Sequence, residues 1–175
     1  MLIEEATARA LGWPKLTYAA LERERRFLCH RVPREQAIEV LRITDRYVTG
    51  SRLRLREMIP LAGGEPAYKL TRKSDVDDRT RLLTTIYLAP GEFDMLSALP
   101  ATMLRKTRYR LGAPAGISLS VDQFEGPLEG LVLAEAELPD AAALQAYPMP
   151  DFAVREVTGD PRYRGSALAL NGAPG

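Results

Sequence analysis

The chain has 175 residues, 46% of them hydrophobic, which is enough for one domain with its own core and too few for two. Lys+Arg 24 against Asp+Glu 23 leaves a formal net charge of +1, so no global basic excess points to nucleic acid, and any anion site must come from local sorting of charge. The single cysteine, Cys29, excludes an internal disulfide, no apolar run approaches the ~20 residues that cross a bilayer, and the acidic start at Glu4 and Glu5 lacks a signal peptide's positive region, so a cytoplasmic protein without a membrane partner is predicted.

In chain order, residues 2–12 place Leu2, Ala6, Ala10 and Leu11 at helical spacing and end at Gly12 and Pro14, which predicts a short leading helix. It reads as an appendage: a helical extension over 1–19, a main domain over 20–170, and a disordered tail over 171–175. Leu21 to Leu28 is a strand. Side chains alternate along a strand, so Glu22, Glu24 and Arg26 share one face and Arg23, Arg25 and Phe27 the other. Carboxylates so spaced can hold a hard divalent cation through oxygen, and the arginine one step along can grip an anion bound to the same metal. Taken alone, the pattern also describes a solvated face of alternating charge. Cys29 and the only histidine, His30, point to opposite faces and do not form a nucleophile pair.

Pro33 to Arg42 reads as a helix with Ala37, Ile38 and Leu41 on its apolar side. From Ile43 the period changes to two. Ile43 to Val48 and Arg52 to Met58 form a hairpin through Thr49-Gly50-Ser51, and Gly63-Gly64-Glu65-Pro66 turns the chain into Ala67 to Lys73. After a charged loop over Ser74 to Asp78 come a strand from Arg79 to Leu88 and a helix from Pro90 to Leu99. Met103 to Leu111, Ile117 to Phe124 and Leu131 to Leu138 complete eight strands. Asp140 to Ala146 is a short helix, Tyr147 to Pro150 a loop, and Arg162 to Leu170 a last helix. The fold class is α+β, mainly antiparallel β.

The two-residue period sorts charge sharply. Arg52, Arg54 and Arg56 share a face, as do Lys69, Thr71 and Lys73, and Lys106, Arg108 and Arg110, while the reverse faces carry Leu53 and Leu55, Tyr68 and Leu70, and Thr107 and Tyr109. Asp122 lies opposite Leu119 and Val121, and Glu135 and Glu137 lie opposite Ala134, Ala136 and Leu138. An open sheet would turn these charged faces to water. A closed eight-stranded barrel would line a wet lumen with them and cover its apolar outside with helices. Composition favours the barrel, because three strands present almost pure cation and two present acids, and such crowding costs stability unless a highly charged ligand fills the space. A polyphosphate with a divalent metal satisfies both sets.

Glu22-x-Glu24-x-Arg26 resembles the Glu-x-Glu-x-Lys signature of the CYTH superfamily, the triphosphate tunnel metalloenzymes. Arg54-x-Arg56, Leu70-Thr71-Arg72-Lys73, Lys106-Thr107-Arg108-Tyr109, Asp122-Gln123-Phe124-Glu125-Gly126 and the run from Gly130 to Leu138 follow in the family's order, over residues 20–166. The resemblance implies an eight-stranded antiparallel tunnel that binds a triphosphate through Arg and Lys and a Mg or Mn ion through Glu. Carried over by position, Glu22, Glu24, Glu135 and Glu137 are metal ligands with Asp122 beside them. Arg26, Lys73 and Lys106 are catalytic cations, Arg54, Arg56 and Arg108 bind substrate, and Lys69 and Arg81 are further wall residues. Two departures stand out. Arg26 replaces the signature lysine with a planar fork. The fifth strand, Arg81 to Tyr87, carries Leu83, Thr85 and Tyr87 where many members have a Glu-x-Glu pair, so a second metal site there is absent or weak.

The resemblance implies metal-dependent hydrolysis of inorganic triphosphate or a similar small triphosphate. Adenylate cyclase chemistry in the same tunnel, or a noncatalytic polyphosphate-binding module, are the alternatives; a cyclase needs a nucleobase pocket that the sequence does not display. There is no Walker-type phosphate loop and no Gly-x-Ser-x-Gly elbow. The expected partner is the small triphosphate, and whether the leading helix packs on the tunnel or on the second subunit of a homodimer stays open.

Overall fold

The computed structural model describes residues 3–175, so Leu2 of the leading-helix reading lies outside them. The strands are β1 (Ala20–Cys29), β2 (Ala37–Val48), β3 (Leu53–Pro60), β4 (Ala67–Asp75), β5 (Thr80–Leu88), β6 (Ala101–Leu111), β7 (Ser118–Phe124), β8 (Val132–Leu138) and β9 (Ala153–Glu156). The helices are α1 (Glu5–Ala10), α2 (Pro90–Leu96), α3 (Ala141–Ala146) and α4 (Gly165–Asn171). Strand order runs β5-β4-β3-β2-β6-β7-β8-β1, and β1 pairs back to β5, so eight antiparallel strands close into a barrel. Closure removes the two free edges that an open sheet would expose. β1 makes it possible by dividing one edge: Ala20 to Arg23 pair with β5, and Phe27 to Cys29 pair with the short β9 outside the ring. The Arg25 guanidinium, pointing outward, fastens β9 through a two-pronged bond to Glu156 at 3.0 and 2.6 Å.

The apolar faces lie outside and are covered. Phe27, Val121, Ala134, Ala136 and Leu138 pack with Leu144 of α3 and with Phe152. Leu104, Phe124 and Leu133 share the parity of the charged faces, yet they are apolar because they sit at one end of the barrel, where Tyr163 and Leu168 cover them. Among the described residues, no helix is long and apolar enough to cross a membrane.

Three expectations need correction. Residues 33–42 are not a helix: a 3-10 turn over Arg34–Gln36 leads directly into β2, which pairs with β6 from Ala37 to Val48 and with β3 along Leu41 to Tyr47. The ladder to β6, irregular between Ala37 and Glu39, and the one to β3 from Leu41 onward outweigh local helical spacing and separate the residues a helix would have grouped, leaving Leu41 2% exposed and Ile38 74% exposed. The last helix is two pieces, a 3-10 turn over Pro161–Tyr163 and then α4, divided by Arg164 in an extended conformation; Asn171 belongs to α4 rather than to a tail. β9, too short for a periodicity signal, had no counterpart in the sequence reading.

The leading segment packs on the outer wall. Trp13, 6% exposed, joins Ala8 and Leu82, donates from Nε1 to Thr84 Oγ1 at 2.9 Å, and lies under the Arg72 guanidinium at 4.1 Å. Arg72 and Arg52 also donate to the Leu11 carbonyl. Trp13→Ala is expected to lower the free energy of unfolding by about 3–5 kcal/mol, measured by urea denaturation. A loss below about 1 kcal/mol would place residues 3–19 outside the cooperative unit.

Candidate functional site

The barrel encloses a cavity of about 590 Å³. Every residue assigned from the sequence faces it except Glu24 and Asp122, which lie just behind its surface. Strand register explains the convergence: Glu22 pairs across from Arg81, Glu24 from Glu137, Arg26 from Glu135, Arg56 from Lys69, and Arg108 from Asp122. One side of the lumen, built by β1 and β8, is acidic, and the side built by β3, β4 and β6 is basic.

Arg26 occupies the middle of the acidic side. Its Nη2 reaches Glu24 at 2.9 Å and Glu135 at 3.1 Å, while Nη1 donates to the Tyr163 carbonyl at 2.8 Å. The guanidinium meets those three acceptors with two nitrogens of one rigid plane, so the departure from the signature lysine ties the acids to the segment that covers one end of the barrel. Lys73 pairs with Glu22 and stands 3.6 Å from Glu24, which Arg81 also approaches at 3.7 Å. Glu22 Oε2 is buried against Lys73 without a well-directed hydrogen bond.

On the basic side, two buried acids hold the cations. Asp122, 1% exposed, accepts from Lys106 at 2.6 Å and from Arg108 Nε and Nη2 at 2.7 Å each, and Arg108 continues to Glu135 at 2.8 Å. Asp45, which the sequence reading passed over, is fully buried and takes the Arg56 fork at 2.6 and 2.7 Å, with Arg54 Nε 3.8 Å away. The signal for Asp45 was present in the hairpin: the turn that aligns Tyr47 with Arg54 puts Asp45 opposite Arg56. These acids also correct the expectation that only a ligand relieves the like-charge crowding, since most of it is relieved by pairing within the wall. Among the described residues, Lys69 has no acidic partner and rests 5.0 Å from the Tyr87 ring centroid, and Glu137 has no cationic partner.

Electrostatics follow the pairing. Burial alone would raise the carboxyls of Asp45, Asp122 and Glu135, but Arg56 and Arg54, Arg108 and Lys106, and Arg108 and Arg26 outweigh it and hold all three below the usual carboxylate range. Glu137 moves the other way, raised by burial and then by Glu22, with Glu24 and Glu135 adding to it. Burial lowers Lys106, against the pull of Asp122. Burial and then Asp45 push the Tyr47 hydroxyl up to about 12. Outside the lumen, burial raises Cys29 to about 11 while His30 is exposed, so neither is equipped as a nucleophile.

Glu22, Glu24, Glu135 and Glu137 offer the hard oxygen donors that a divalent cation takes, and the raised Glu137 carboxyl marks a cluster short of positive charge. Among the described residues no three acids stand ready as a metal cage, because Glu22, Glu24 and Glu135 are turned to Lys73, Arg26 and Arg108. Asp122 fits a metal ligand poorly, with both oxygens held by cations behind the cavity surface. On β5, Arg81, Leu83 and Thr85 line the cavity without a carboxylate, and Thr85 shares a 2.9 Å hydrogen bond with Thr71. At the closed end, Arg164 meets Asp75 at 2.6 Å, and a Cβ on Gly165 would overlap the Tyr47 hydroxyl.

Because the folded Asp45 carboxyl is depressed, the stability it contributes is complete above the unfolded value near ~3.9 and is lost as pH falls towards the folded one. The gap in unfolding free energy between the parent and Asp45→Asn should therefore be constant above about pH 5 and narrow below about pH 4. Urea midpoints across that range test this, and a gap that stays constant to the acid limit would contradict it.

No family model matches the chain. An inorganic triphosphatase of Nitrosomonas europaea is 34% identical over 155 residues, which cover 86% of this chain and 97% of that protein. An inorganic triphosphatase of Acetivibrio thermocellus is 48% identical over 69 residues, 39% of this chain and 42% of that protein. Among solved structures, the inorganic triphosphatase NE1496 superposes with a TM-score of 0.57 at 30% identity, covering 88% of this chain and 97% of that one. Identity at that level, across nearly the whole of the relative and over the same closed barrel, means that this chain belongs to the CYTH superfamily of triphosphate tunnel proteins, alongside the inorganic triphosphatases.

Proposed function

We propose that this protein hydrolyses inorganic triphosphate inside its barrel with the help of a divalent cation, Mg or Mn. The observation that carries the reading is a cavity within the barrel with Glu22, Glu135 and Glu137 on one side, Glu24 just behind them, and arginines and lysines on the other. The names of the relatives at 34% and 48% identity support the choice of inorganic triphosphate. Glu22, Glu24, Glu135 and Glu137 would hold the cation, which when bound supplies neutralisation of phosphate charge and a more acidic water.

The chain's own groups divide the remaining work. Lys69, which has no acidic partner among the described residues, and Arg54, 3.8 Å from Asp45, receive the incoming anion. Lys73 and Arg26 line the cavity while paired with Glu22 and Glu24, so turning them towards phosphate oxygens frees those carboxylates. Lys106 and Arg108 are held by Asp122 and meet the charge that grows on the transferring group without having to reorganise. Water adds to the terminal phosphorus, the bridging bond breaks, and phosphate and diphosphate leave. Tyr163 and Leu168 keep bulk water from the closed end. A single cysteine, buried, accords with a cytoplasmic setting.

Phosphate release from tripolyphosphate, assayed with Mg and with Mn against ATP and diphosphate, tests the reading. Preference for tripolyphosphate is expected, and no release with either metal from folded protein would overturn it. Glu22→Gln with Glu24→Gln should weaken Mn binding by at least ~10-fold without unfolding the barrel. With no carboxylate on β5, Mn titrated into the tripolyphosphate complex should saturate near about one ion per chain. Saturation near two would mean that another part of the wall supplies the missing oxygens.

A further inference from the structure

Asp45 is the acid for which the reaction just described has no use. It sits on β2 among Arg56, Arg54 and Lys106, groups that must attract an anion, and its charge alone works against that attraction. A buried carboxylate in such a place weakens the site unless it gains something in geometry. The Arg56 fork explains what is gained. Asp45 takes Nε and Nη2 at 2.6 and 2.7 Å, fixing the plane of the guanidinium and leaving Nη1 outside the fork. Arg56 is opposite Lys69 in register, and Arg54 stands next along the same face, so the orientation of one guanidinium sets the edge on which phosphate oxygens land.

We propose that Asp45 is a positioning residue for phosphate binding: it locks the Arg56 guanidinium so that its free edge and the neighbouring Arg54 meet the triphosphate in one preset orientation. Asp45 gives up electrostatic attraction for this alignment, and alignment of reacting groups is where large rate factors arise. The proposal rests on the triphosphatase reading above. It predicts the opposite sign from charge alone. Removing a negative charge beside an anion should tighten binding, whereas loosening the guanidinium should slow turnover.

The test compares tripolyphosphate hydrolysis, and calorimetric binding of tripolyphosphate without metal, in the parent, Asp45→Asn, Arg56→Lys, Arg56→Ala and the Asp45→Asn/Arg56→Ala double variant. Asp45→Asn should lose at least ~10-fold in kcat, with KM changed far less. Arg56→Lys keeps the charge but cannot form the fork, and it should lose turnover to a similar extent. If Asp45 acts through Arg56, the double variant should match Arg56→Ala within about twofold. Parent-like turnover in Asp45→Asn with tighter binding, parent-like turnover in Arg56→Lys, or additive losses in the double variant would each overturn the proposal. Should Asp45→Asn fail to fold, Arg56→Lys decides. A parent that neither binds nor hydrolyses tripolyphosphate would overturn the functional reading and this proposal with it, whereas a competent parent with an indifferent Asp45→Asn overturns the proposal alone.

Discussion

Charge pairing across the lumen is the constraint on which the rest of this protein depends. A closed barrel brings the inward faces of eight strands into one small space, and each inward face here is charged. Unpaired, those groups would oppose closure by desolvation and by repulsion within each side. Register solves this by setting cations beside acids: Arg26 with Glu24 and Glu135, Arg108 with Asp122 and Glu135, Arg56 with Asp45, Lys73 with Glu22. Each arginine bridges two elements, so the network is also a set of cross-strand ties. Breaking a buried pair by deleting one partner leaves an uncompensated charge at a cost of about 3–5 kcal/mol, so the wall cannot be treated as a set of independent binding groups.

The same pairing gives the site its capacity to respond to a ligand. In the proposed reaction the pairs on the acidic side, Lys73 with Glu22 and Arg26 with Glu24, would exchange: phosphate oxygens would replace the carboxylates, and a divalent cation the lysine and arginine. The pairs on the basic side, built on fully buried Asp45 and Asp122, have no such alternative and serve as a rigid backing. Glu137, with no cation of its own and a raised carboxyl, marks the place where positive charge is lacking. In the proposed reaction a charged ligand would exchange partners on the acidic side, while the basic side would meet it with little reorganisation.

The segments before and after the strands brace the barrel. Arg26 carries the network to the closing segment through the Tyr163 carbonyl, and its backbone accepts from Val157 and donates to Thr158 Oγ1. At the same end, Arg164 reaches Asp75, which Arg81 holds at 2.8 Å. The leading segment braces β4 and β5 from outside through Trp13. The chain on both sides of the barrel thus buttresses the strands that carry the cations.

The two-residue alternation was enough by itself to sort residues into a charged and an apolar face on β3, β4, β6, β7 and β8, because pleating acts over neighbouring residues and needs no tertiary information. It identified Glu22, Glu24, Arg26, Arg54, Arg56, Lys73, Glu135 and Glu137 as inward-facing before any strand was paired. It misread residues 33–42, where local spacing favoured a helix and the ladders to β3 and β6 imposed a strand. It missed β9 and the break at Arg164, which exist only because β1 leaves half an edge free and the barrel has an end to cover. Which acid meets which cation between strands distant in sequence was beyond it as well, with Glu22 opposite Arg81 and Glu135 opposite Arg26, because partnership between such strands depends on register around a closed ring. Alternation along one strand decides which face a residue takes, and only closure of the ring decides what that residue faces.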